Sequence, residues 1–133
     1  MLTGTCLCGA VTWTFDGTPP DATACNCTAC RRYGTLWAYD WDGGVIAVHG
    51  PVKPWARANK EPSLDFLFCP TCGCLAACQG RRANDAGHRP IAVNLRLADD
   101  PGAVAEIPLL RFDGLHSFED IDPMERHVKD LWF

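Results

Sequence analysis

Residues 64–78 read Leu64-Asp65-Phe66-Leu67-Phe68-Cys69-Pro70-Thr71-Cys72-Gly73-Cys74-Leu75-Ala76-Ala77-Cys78. Two apolar runs of strand length flank a Cys-x-x-Cys-Gly turn, which predicts a β-hairpin with a zinc knuckle at its tip. A knuckle of this spacing aims both sulfurs the same way. Zinc takes four ligands in a tetrahedron, with Zn–S distances near ~2.3 Å. The knuckle is therefore half a site, and the rest must come from far away in the chain. Two other cysteine clusters can supply it, Cys6-Leu7-Cys8 and Cys25-Asn26-Cys27-Thr28-Ala29-Cys30.

Cysteines two apart on a regular strand point to one face. Joining the first cluster to the third gives Cys6, Cys8, Cys69 and Cys72, a closed four-sulfur site that staples the N-terminal strand to the central hairpin. Cys25, Cys27 and Cys30 then stand alone. Three thiolates plus water make an exchangeable zinc, and an open position is where zinc chemistry takes place. Cys74 and Cys78, with Ala76 on one strand face, read as small buried hydrophobes.

The rest of the chain alternates in the manner of half-buried strands. Val11, Trp13 and Phe15 share one face of Ala10–Phe15. Leu36–Trp41 and Val45–Val48 flank Asp42-Gly43-Gly44, a hairpin signal. Ile91–Leu97 reads as one strand and Leu109–Phe112 as a last short one. Helix is confined to a single turn within Cys27–Tyr33 and to the tail, residues 115–133. There Asp122-Pro123, an N-cap followed by proline, opens a segment running to Leu131.

The length, 133 residues, predicts one domain over residues 1–133. The net charge of -4 argues against a nucleic-acid footprint, which would be basic. No stretch approaches the ~20 apolar residues of a membrane span, and Met1–Cys6 is unlike a signal peptide. The expectation is a cytoplasmic protein whose thiols stay reduced, with cysteines as metal ligands rather than disulfides.

Three ordered motifs carry a resemblance. Gly4-Thr5-Cys6-Leu7-Cys8-Gly9-Ala10-Val11, then Cys25-Asn26-Cys27-Thr28-Ala29-Cys30-Arg31-Arg32, then Phe68-Cys69-Pro70-Thr71-Cys72-Gly73 resemble the glutathione-dependent formaldehyde-activating enzyme family, also called the GFA or CENP-V domain family. Ile91-Ala92-Val93-Asn94 and Phe112-Asp113-Gly114 resemble later family segments. The resemblance implies a mainly β fold, the Mss4-like β-tent of antiparallel sheets with zinc knuckles and little helix. It implies two zinc ions, a structural one on Cys6, Cys8, Cys69 and Cys72 and a labile one on Cys25, Cys27 and Cys30. The activity it implies is that of a carbon–sulfur lyase, with a small thiol such as glutathione and an aldehyde as partners and S-hydroxymethylglutathione as the adduct. In that reading Cys25, Cys27 and Cys30 are the catalytic residues. Arg31 and Arg32 directly follow them and can hold a substrate carboxylate. The alternative is a non-enzymatic two-zinc scaffold module of the same fold. His88, in the loop Gly87-His88-Arg89-Pro90, reads as a solvated histidine.

Overall fold

The computed structural model describes residues 1–58, 61–121 and 125–131. Its elements are β1 (Leu2–Thr5), β2 (Thr12–Phe15), β3 (Ala22–Cys25), α1 (Cys30–Tyr33), β4 (Trp37–Trp41), β5 (Ile46–His49), β6 (Lys53–Trp55), β7 (Leu64–Phe68), β8 (Leu75–Gly80), β9 (Pro90–Asn94), α2 (Pro101–Val104), β10 (Pro108–Phe112) and β11 (Arg126–His127). One-turn 3-10 helices follow at Leu95–Leu97 and Val128–Leu131. The mainly β reading therefore holds, with little helix. Among the described residues no helix is long and apolar enough to cross a membrane.

The strands form two sheets. The smaller has the order β1-β2-β5 and the larger β11-β10-β3-β4-β9-β8-β7-β6. Successive side chains of a strand point to opposite faces, and this sorts the core. From β4 and the residue before it, Leu36 and Ala38 join Ile91 and Val93 of β9 against Trp13, Phe15 and Ile46 of the small sheet. Their neighbours Trp37 and Ala92 face the other way, where they pack with Ala29, Cys30, Phe66 and Cys78. Fully burying a Val, Leu, Ile or Phe side chain contributes about 1.5–3 kcal/mol, so the shared face holds the sheets together. The opposite face of the large sheet is free to carry a site.

Buried Asn94 fixes the junction. Its Oδ1 accepts from the backbone N–H of Leu36 at 3.2 Å and of Arg96 at 3.2 Å, while its Nδ2 donates to the carbonyl of Leu75 at 3.0 Å. By capping Arg96 it turns the chain into a 3-10 helix, so the expected strand over Ile91–Leu97 ends at Asn94.

Two further expectations change, and a third lies partly outside the described residues. Leu36–Trp41 and Val45–Val48 are not a hairpin, because β4 has both edges occupied, by β3 and β9. The chain instead crosses at Asp42-Gly43-Gly44 and β5 pairs with β2 in the other sheet. In the tail, the described residues form β11 and a 3-10 turn, and Asp122-Pro123 lies outside the described residues. The proline-led helix occurs at Asp100-Pro101, where Asp100 Oδ1 accepts from Gly102 N at 2.8 Å. Finally, a β-bulge between Leu67 and Phe68 skips Ala76 in the β7–β8 register. Cys74, Ala76 and Cys78 therefore do not share a face: Ala76 and Cys74 pack beside Cys6 and Cys69, and Cys78 packs beside Trp37 and Cys30. Burial pushes the Cys78 thiol up to about 12, which leaves it an inert core group.

Candidate metal centres and a thiol-lined cavity

Two hairpin tips meet at the first thiol cluster. The strand alternation expected for Cys6 and Cys8 is not how they converge, since both lie in the turn between β1 and β2. Gly9 closes that turn, donating to the Cys6 carbonyl at 2.9 Å. Cys69 and Cys72 occupy the β7–β8 tip, where Gly73 adopts φ 77°, a left-handed conformation that favours glycine, and donates to the Cys69 carbonyl at 3.0 Å. The four sulfurs lie within 4.8 Å of one another. Cys8 Sγ is 3.6 Å from both Cys6 Sγ and Cys69 Sγ. A tetrahedron with Zn–S bonds of ~2.3 Å has edges of about 3.8 Å, so the donor set has the dimensions of a metal site. The backbone N–H of Val11 donates to Cys6 Sγ at 3.2 Å. The backbone amides of Cys74 and Cys8 hold the Cys72 thiol down to about 6, favouring the thiolate a metal requires.

The second cluster is built on the free face of the large sheet. Cys25 ends β3, Cys27 lies in the following loop and Cys30 opens α1. Their sulfurs also lie within 4.8 Å of one another. No side-chain oxygen caps α1; the Cys27 sulfur does so, accepting from the N–H of Cys30 at 3.3 Å and satisfying a donor that helix starts leave unpaired. Gly34, at φ 64°, ends the helix after one turn. Cys25 Sγ accepts from Cys27 N at 3.4 Å, and Cys30 Sγ accepts from the buried indole Nε1 of Trp37 at 3.3 Å. Outside the cluster, Arg57 Nη2 donates to Cys27 Sγ at 3.5 Å. Donors of this kind accompany metal-bound thiolates and tune them. Without a metal, Cys27 and Cys30 share a proton. The Cys30 thiol holds Cys27 down to about 4, and the Cys27 sulfur in turn pushes Cys30 well above the usual thiol range.

Soft thiolates suit zinc, and both clusters can hold a metal ion. They differ in completeness: four sulfurs close a shell, whereas three leave a position free. The three-sulfur cluster lines a cavity of about 340 Å³, whose walls also include Arg57, Tyr39, Phe66, Phe112 and Phe118. Tyr39 belongs there because it stands two residues after Trp37, on the same face of β4. Its phenol is held above the ordinary tyrosine value by desolvation and by the negative charge of the Cys78, Cys30, Cys25 and Cys27 sulfurs, so it stays protonated at neutral pH and can donate a hydrogen bond.

The far wall is supplied by β10, the strand that pairs parallel to β3, with Phe112 in register with Cys25. After Phe112 the chain turns at Asp113, whose carboxylate accepts from Asn26 Nδ2 at 2.9 Å and from the amides of His116 and Ser117 at 3.2 and 3.1 Å. Those bonds, that of Asn26 foremost, favour the ionised form and hold its pKa well below the usual carboxylate range. A Cβ on Gly114 would lie 2.8 Å from both Cys25 Sγ and Cys27 Cβ, so only glycine lets this loop come so close to the thiols. The same turn holds Phe118 at φ 60°, with its N–H on the Asp113 carbonyl at 2.8 Å. A left-handed backbone at a non-glycine residue costs about 1–2 kcal/mol.

A second hollow, of about 460 Å³, lies alongside between α1 and β6. It is lined by Thr28, Arg32, Tyr33, Trp55 and Arg57, so Arg57 stands between the two. Arg32 thus lines this groove and not the thiol cavity, and Arg31, exposed, lines neither. Neighbouring helical residues point about 100° apart, so one turn presents only one of the pair. His88 stands on the Asp42 turn, its Nδ1 3.1 Å from the Asp42 carbonyl, outside the cavity. Sequence reading missed Arg57, Tyr39 and Phe118. Only the Asp113-Gly114 turn beside Phe118 carried a local signal.

Comparison with known proteins bears on the family and the fold. The family model of the glutathione-dependent formaldehyde-activating enzyme matches residues 1–107, and the chain belongs to that family. A crystal structure of a Rhodobacter sphaeroides protein superposes with a TM-score of 0.59 at 24% identity, covering 80% of this chain and 98% of that one. At that identity the likeness speaks for the fold alone. No curated protein matches the chain.

Proposed function

We propose that this protein is a zinc-dependent carbon–sulfur lyase that forms or cleaves a thiol–aldehyde adduct of the S-hydroxymethylglutathione kind. The observation that carries this reading is the contrast between the two clusters. Four thiols are closed between hairpin tips, and three open into a cavity. Cys6, Cys8, Cys69 and Cys72 would hold a structural zinc. Cys25, Cys27 and Cys30 would hold a labile one, which when bound supplies positive charge that favours the thiolate form of a thiol beside it.

The protein's own residues do the rest. Arg57 and Arg32 bind a carboxylate of the thiol substrate, in the groove that adjoins the cluster. In the addition, a new S–C bond forms as the carbonyl π bond breaks towards oxygen. The proton lost from sulfur is the one gained on oxygen, so the step balances, and Tyr39 in the cavity wall can donate a hydrogen bond to that oxygen as its charge develops. Cleavage is the reverse. The reducing cytoplasm is the compartment in which both clusters stay competent.

Zinc stoichiometry before and after soaking with glutathione tests the reading. Two zinc ions per chain should fall towards one as the three-thiol site exchanges. A stoichiometry that glutathione leaves untouched would overturn it.

A further inference from the structure

The thiol cavity is larger and more apolar than the smallest aldehyde needs. Formaldehyde carries only hydrogens on its carbonyl carbon, whereas about 340 Å³ is the size of a site for a small organic ligand. Away from the sulfurs the walls are hydrocarbon: Leu64, Phe66, Phe112, Phe118 and the ring of Tyr39. The polar side-chain atoms that remain come from Tyr39, Arg57, Glu61 and Ser63.

The construction of that wall is specific. Phe118 is 73% exposed and rests edge-on against Phe112, with ring centroids 5.0 Å apart. Its backbone is held at φ 60° by the turn that Asp113 and Asn26 pin to the cysteine loop. Sparsely populated backbone conformations of this kind cluster at ligand sites, and this one places Phe118 in the wall of the thiol cavity. Two of its residues, Phe112 and Phe118, also lie past residue 107, outside the stretch matched by the family model. The neighbouring groove carries Arg32, and Arg57 lines both hollows. The anionic end of a thiol can therefore lie in the groove while the other reactant takes the aromatic part of the cavity.

We infer that the carbonyl substrate carries an apolar substituent of about phenyl size, seated against Phe66, Phe112 and Phe118. This inference rests on the lyase reading above. The step is a thiol adding to R–CHO: an S–C bond forms, the carbonyl π bond becomes an O–H through the proton released from sulfur, and nothing is oxidised or reduced.

Two measurements test it together. The first is binding of 2-phenylethanol, which has the substituent and no carbonyl, followed by shifts of the Phe112 and Phe118 ring resonances. It should bind about tenfold or more tightly than ethanol, the order expected from burying a phenyl-sized apolar surface, and Phe118→Ala should erase most of that difference. The second is NMR exchange between glutathione, aldehyde and hemithioacetal on the zinc-loaded protein. Phenylacetaldehyde should be accelerated more than formaldehyde. Equal binding of the two alcohols, or a preference for formaldehyde, overturns the inference and leaves the lyase reading standing. Acceleration of neither aldehyde, together with Phe118-dependent binding, overturns the lyase reading and upholds the selectivity of the cavity.

Discussion

Arg57 and Cys27 stand thirty positions apart in the chain, and the guanidinium Nη2 of the one donates to the sulfur of the other at 3.5 Å. That contact joins the thiol cavity to the basic groove beside α1, because Arg57 lines both. A charge-assisted hydrogen bond contributes about 1.5–3 kcal/mol. Arg57→Ala should therefore raise KM for glutathione by roughly tenfold or more and change that for 2-mercaptoethanol, which has no carboxylate, far less. Steady-state kinetics with the two thiols check this. An equal loss for both would remove Arg57 from carboxylate binding.

The two clusters should respond differently to losing a ligand. Metal binding at a closed thiolate site contributes directly to folding, and Cys69 is buried between two hairpin tips. Cys69→Ser should lower the melting temperature far more than Cys27→Ser. Thermal unfolding of the zinc-loaded variants measures the difference, and equal melting temperatures would contradict the division of roles.

Gly114 tests how closely the far wall must approach. A methyl group there would sit 2.8 Å from Cys25 Sγ, and overpacking of this kind costs about 1–3 kcal/mol. Gly114→Ala should weaken zinc retention at the three-thiol cluster while leaving the four-thiol cluster loaded. Competition with a chromogenic chelator resolves the two sites. Unchanged retention at both would show that the loop moves aside at little cost.

Asn94 is the polar anchor of the core. Its removal leaves the Leu36 amide and the Leu75 carbonyl buried without their partner, at about 1–3 kcal/mol for each unsatisfied group. Asn94→Ala should destabilise the protein by at least about 2 kcal/mol in urea unfolding. A loss below half of that would mean that other groups take over these bonds.

The cysteine clusters were legible in the sequence because their geometry is local: a Cys-x-x-Cys-Gly turn aims its sulfurs without help from the rest of the fold. The buried face of β2 was legible for the same reason, through alternation, whereas β9 is buried on both faces. Pairing was not. Leu36–Trp41 and Val45–Val48 look like hairpin partners until β3 and β9 occupy both edges of β4. Cys74 and Cys78 look like face-mates until the bulge opposite Phe68 shifts the register. The cavity depends on such non-local choices. Tyr39 comes from β4, Arg57 from beyond β6, and Phe118 from a loop placed by the parallel pairing of β10 with β3. No spacing within any one of these segments points to the others.

The central claim is that Cys25, Cys27 and Cys30 form the reactive centre. The most direct measurement is the NMR exchange rate between free thiol and aldehyde and their adduct, on zinc-loaded wild type and on Cys27→Ser. The account predicts acceleration by the wild type and a fall to the uncatalysed rate in the folded variant. Equal rates for the two proteins would contradict it.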